Sequence, residues 1–123
     1  MNNLYIKGNS KTPEIDFSKG TLKISGRSIP EDAVTFYRPI IKWIENYIAQ
    51  PEKLTEVSIS IEYINSGSNR FLYNILTLLE KCYFDGNKVN ITWYYEEDDD
   101  TIKYLGLDFK GLFKVPISLV IIT

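Results

Sequence analysis

Twice within forty residues this chain writes the same alternation, and the two copies are separated by a single helical stretch. In VSISIEY the residues Val57, Ile59, Ile61 and Tyr63 alternate with Ser58, Ser60 and Glu62; in VNITWYY the residues Val89, Ile91, Trp93 and Tyr95 alternate with Asn90, Thr92 and Tyr94. A period of two describes a strand with one buried face, so Tyr63 and Tyr95 are expected to point inward with the aliphatic residues. Between them Phe71, Leu72, Ile75, Leu76, Leu79 and Cys82 recur at helical spacing, up to Asp85-Gly86. Two strands joined by one helix lie parallel and are connected by a right-handed crossover. The polar half of each alternation confines the helices mainly to one side of the sheet. A short helix around 99–108 and a closing strand in PISLVIIT extend the pattern, giving parallel strands at 56–64, 88–95 and 116–122.

The first third of the chain adds strands LYIK (4–7), EIDFS (14–18) and TLKIS (21–25), the last two joined by Lys19-Gly20 as a hairpin. Ser28 and Glu31 have capping-box spacing with Pro30 between them, which predicts a helix over 30–50. Its apolar face is Ala33, Phe36, Tyr37, Ile40, Ile41, Ile44, Tyr47 and Ile48. Pro39 removes one ladder bond and predicts a kink near 35–39, and Pro51 stops the helix. The fold class expected is therefore α/β. It is a single domain over 1–123, with a mixed sheet, a parallel βαβαβ core, helices 30–50 and 68–84 mainly on one face, and the N-terminal hairpin at an edge.

Composition removes several function classes. A net charge of −2 leaves no basic surplus to neutralise phosphates, so nucleic acid is not expected as a partner. The absence of histidine excludes the usual triads and histidine-based zinc sites, and neither phosphate-binding glycine motif occurs. No apolar run is long enough to cross a bilayer, and the lone Cys82 sits on the apolar face of its helix. A cytoplasmic protein without cofactor, metal or membrane partner is expected. The acidic run Glu96-Glu97-Asp98-Asp99-Asp100 offers ligands to a hard cation, but acids ahead of a helix also complement its dipole.

What remains is Asn65-Ser66-Gly67-Ser68-Asn69-Arg70, where a strand passes into a helix. One reading is a cap: Ser66 or Ser68 accepts from the first turn, Gly67 supplies an unusual backbone angle, and Asn65 closes an Asx-turn. The other is an anion site, because a phosphoryl group there meets free N–H donors and the positive end of the helix. The two are compatible.

Four stretches, KTPEIDF (11–17), GRSIPEDAVTFYRPIIKWIENYI (26–48), YINSGSNRFLYNILTLLEK (63–81) and VNITWYYEEDD (89–99), resemble in order the SiaC-type family of small bacterial regulatory phosphoproteins, which are similar in fold and logic to STAS-like anti-sigma-factor antagonists. The resemblance implies partner switching. A protein kinase phosphorylates a hydroxyl at the start of the helix, and a PP2C-like phosphatase removes the group. The unphosphorylated form binds an output protein, such as a diguanylate cyclase controlling cyclic di-GMP and biofilm. The family's phosphorylated threonine follows Tyr-x-Asn, which maps to Ser66 here, with Ser68 as the alternative; serine in that place and Gly67 after it depart from the pattern. The partner-binding residues so implied are Asn65, Ser66, Gly67, Ser68, Asn69 and Arg70. A carboxylate- and metal-dependent enzyme centred near Asp98, and an adaptor whose Ser66 is never modified, are the alternatives.

Overall fold

The computed structural model describes residues 1–122; Thr123, the end of the PISLVIIT strand, lies outside them. The elements are β1 (Leu4–Ile6), β2 (Glu14–Ser18), β3 (Thr21–Ser28), α1 (Ala33–Ala49), β4 (Leu54–Ile64), α2 (Ser66–Phe84), β5 (Lys88–Glu96), α3 (Asp100–Leu112) and β6 (Ile117–Ile122). The strands form one six-stranded sheet in sequential order, β1 to β6. The first two pairings are antiparallel and the last three parallel. Gly20, at a φ of 87°, makes the reversal between β2 and β3, a backbone angle that side chains disfavour.

Sequential order with right-handed crossovers places all three helices on one face. Burial along β4 agrees: Thr55, Val57, Ile59 and Ile61 are buried, whereas Glu56 and Glu62 are exposed. The core between sheet and helices holds Phe17, Leu22, Ile24, Tyr37, Ile40, Leu72, Ile75, Leu79, Ile91 and Trp93 among others. Trp43, left out of the periodic reading of α1, is also buried; it stacks on Tyr47, lies tilted against Phe17 and donates to Asn2 O at 2.8 Å, tying down the N-terminus.

Several expected boundaries are corrected. The first helix starts at Ala33 and ends at Ala49, and its N-cap is Asp32, whose carboxylate accepts from Thr35 N at 3.2 Å and Thr35 Oγ1 at 2.6 Å. Ser28 does not form a capping box with Glu31: it belongs to β3, and its buried hydroxyl bonds the Tyr37 phenol. α1 continues through Pro39, which lies inside the helix. α3 runs to Leu112, beyond the short helix expected, because Phe109 and Phe113 continue its buried face.

The correction that matters most for the site is Tyr63, which is 59% exposed rather than inward. Gly26 pairs with Ile61 while Arg27 pairs with Tyr63, so Glu62 is an extra residue in β4. A bulge of this kind reverses the alternation beyond it. Tyr63 thus turns outward beneath Arg27, whose guanidinium carbon lies 5.0 Å from the ring centroid, and Ile64 pairs with the buried Ser28.

Candidate functional site

The register beyond the bulge carries β4 directly into α2. Asn65 N donates to Ser28 O at 3.0 Å, so the last residue before the helix is still held by β3. Its side chain is the N-cap, accepting from Ser68 N at 2.9 Å, while its amide nitrogen donates to Pro30 O at 3.2 Å. Asn65 therefore takes the capping role expected of Ser66 or Ser68, and it locks the start of α2 to the loop ahead of α1. A cap of this type contributes about 1 kcal/mol.

Helix α2 begins at Ser66 itself, five residues ahead of the Phe71 where its apolar period becomes visible. Gly67 has no positive φ, contrary to the expected unusual angle. The two helix starts come close at this point: a Cβ at Gly67 would sit 3.6 Å from Ala33 Cβ, an ordinary van der Waals contact.

The six residues singled out in sequence are divided by the fold. Ser66, Gly67, Asn69 and Arg70 are exposed and Asn65 is half-buried, but Ser68 is fully buried and is no part of an accessible surface. The reason is helical geometry, since Ser68 and Leu72 lie four apart on the inward face. Ser68 Oγ has no hydrogen-bond partner among the described residues. It faces the Ser28 and Tyr37 pair: burial pushes the Tyr37 phenol up, and the Ser28 and Ser68 hydroxyls pull it the other way, Ser68 without a hydrogen bond of good geometry. The Tyr37 ring is stacked on Phe71 at 5.2 Å and 6°, which joins α1 to α2 just below this point.

Around Ser66 lies a shallow pocket of about 400 Å³ between the two helix starts, bordered by Glu31, Asp32, Val34, Gly67, Arg70 and Phe71. Its charges are mixed. Hydrogen bonds from Thr35, the side-chain hydroxyl above all, hold the Asp32 carboxyl below its ordinary range, so it stays ionised at neutral pH. Glu31 pairs with Lys11 at 3.1 Å on the surface. Arg70 is the cation on the pocket wall; its guanidinium lies 5.3 Å from the Phe71 ring and makes no salt bridge among the described residues.

The other chemical candidates separate from this site. Cys82 is buried, and burial pushes its thiol up, away from the thiolate that nucleophilic chemistry requires. Among the described residues no group of three or more Asp, Glu, Cys or His is disposed to hold a metal ion. Asp99 is the N-cap of α3, accepting from Ile102 N at 3.1 Å, which is the helix-complementing use of the acidic run. Among the described residues no helix is long and apolar enough to cross a membrane.

Comparison with known proteins defines the class to which this arrangement belongs. Residues 6–122 match the family model described as SiaC family regulatory phosphoprotein. The chain belongs to that family. It is 28% identical over 121 residues to an uncharacterized protein of Pseudomonas aeruginosa (strain UCBPP-PA14), covering 97% of this chain and 96% of that one. The structure of SiaC of Pseudomonas aeruginosa superposes with a TM-score of 0.91 at 27% identity, covering 99% of this chain and 100% of that one. The SiaC of a crystal structure of the diguanylate cyclase SiaD in complex with its activator SiaC, also from Pseudomonas aeruginosa, gives 0.88 at 27% identity over 94% of this chain and 97% of that one.

Proposed function

We propose that this protein is the switch component of a partner-switching system in the cytoplasm, phosphorylated at Ser66 by a protein kinase and dephosphorylated by a PP2C-like phosphatase. Its unphosphorylated form binds and activates an output protein, a diguanylate cyclase by analogy with the SiaC and SiaD complex. The observation that carries the reading is the division of the two serines: Ser66 is exposed at the first position of α2, and Ser68, two residues on, is fully buried.

Phosphorylation adds about −1.5 to −2 charges at neutral pH. At Ser66 that charge meets the first-turn N–H groups and the positive end of the helix dipole, which stabilise it within the folded chain. It also meets the ionised Asp32 and the nearby Glu31, with Arg70 as the cation at hand. The fold survives because Asn65, not Ser66, provides the cap. A partner seated against the neutral hydroxyl must then desolvate a dianion, and a cost of about 2.7 kcal/mol weakens binding roughly a hundredfold. Arg70→Ala is expected to weaken phosphorylation or partner binding with the melting temperature nearly unchanged.

The test is to treat the full chain with its cognate kinase, map the modified residue by tandem mass spectrometry, and titrate Ser66→Ala and Ser66→Asp against the cyclase. Ser66 should carry the phosphate, Ser66→Ala should bind constitutively, and Ser66→Asp should bind about a hundredfold more weakly, all with native melting temperatures. Labelling elsewhere, or undiminished binding by Ser66→Asp, would refute the proposal.

A further inference from the structure

The three parallel pairings of the sheet do not all run to the strand ends. β4 is paired with β3 as far as Ile64, and β5 with β6 as far as Ile122, but the ladder between β4 and β5 stops at Ile59 and Trp93. Beyond that point the two strands diverge, and a cleft of about 430 Å³ opens between Ser60–Tyr63 on one side and Tyr94–Glu96 on the other, closed below by Asp98, Asp99 and Ile122. Two central strands thus present inner edges that, among the described residues, are not laddered to each other, a feature that normally exists only at the outside of a sheet. Such an edge accepts an extended chain through main-chain hydrogen bonds.

The side chains say what that chain carries. Glu62, Glu96 and Asp98 are exposed around the cleft, and Glu96 and Asp98 have no salt-bridge partner among the described residues. Tyr63 and Tyr94 bring aromatic rings to the same opening. Carboxylates beside aromatic rings suit a guanidinium, which pairs with the former and stacks on the latter. The molecule already contains one instance at the rim: Arg27 lies 5.0 Å from the Tyr63 ring centroid, with its Nε 3.5 Å from Glu62 Oε2.

We infer that this cleft docks an arginine-bearing extended segment of a protein partner, through contacts separate from Ser66. The two surfaces do not share a lining residue, so loss of one leaves the other to be measured.

The test is a titration of the isotope-labelled full chain with an acetylated, amidated Val-Arg-Val-Arg-Val peptide, followed by amide chemical shifts. Saturable shifts are expected at Ser60–Tyr63 and Tyr94–Glu96. The same peptide with citrulline for arginine, and the Glu96→Gln/Asp98→Asn variant, should each bind at least about tenfold more weakly, which is 1.4 kcal/mol. Asp99 is left intact in that variant because it caps α3. Absence of saturable shifts in the cleft, equal binding of the citrulline peptide, or undiminished binding by the double variant would each overturn the assignment. Cleft shifts that grow with protein concentration alone, without peptide, would assign the opening to a second copy of the chain and overturn it equally.

Discussion

The two flanks of β4 differ in a way that organises the molecule. Toward β3 the strand stays paired, past the bulge at Glu62, to its last residue, and the pairing is extended by Asn65 N to Ser28 O, so Ser66 is delivered to the surface from a closed edge. Toward β5 the pairing ends five residues earlier, at Ile59, and the sheet opens. One flank positions a single hydroxyl by rigidity; the other leaves backbone and carboxylates free for an outside chain. A sheet of one continuous topology thereby carries two kinds of surface at the same end, where all three parallel crossover helices begin.

The comparison is broken most severely at Trp93, the buried residue where the ladder stops. Its indole donates to Ile102 O at 3.0 Å and lies against Gly106, where an added Cβ would be 2.4 Å from Trp93 Cδ1. Gly106→Ala is expected to cost about 1 to 3 kcal/mol by overpacking, despite the better helix propensity of alanine. Gly111→Ala in the same helix, where nothing lies within 4 Å, should be neutral or slightly stabilising. Urea denaturation of the two variants reads the contrast.

The closed flank is loosened instead by Asn65→Ala, which removes both the bond from Ser68 N and the one to Pro30 O. A loss of about 1 to 2 kcal/mol is expected, with faster amide exchange in the first turn of α2 and none in β5. An equal response in β5 would mean that the two flanks are not independent.

The smallest effect sharpens the distinction between the two serines. Ser68→Ala removes a buried hydroxyl that makes no hydrogen bond among the described residues, so its unfolding free energy should lie within about 1 kcal/mol of the wild type. A loss larger than that, measured by the same urea titration, would show that Ser68 is held by Tyr37 after all and helps to fasten α2.

Periodicity alone determined the parallel core of this protein. The alternation in 57–61 and 89–93 and the helical spacing from Phe71 to Cys82 admit one arrangement of strands and helices, because each apolar set has a single face to bury. The family, too, was legible in the order of its stretches, and residues 6–122 match it. What tertiary structure decided lies at the strand ends, where local pattern and long-range pairing compete. The bulge at Glu62 arises from the register between β3 and β4, and no reading of VSISIEY by itself can locate it, so Tyr63 was expected inward and is outward. Ser28 has the spacing of a helix cap, but a buried partner, Tyr37, holds it in β3 and passes the cap to Asp32. Ser66 and Ser68 are chemically the same residue in a polar run of six. Which one meets solvent was settled by where Asn65 ends the strand, because that sets the phase of the helix and with it the one hydroxyl that faces out.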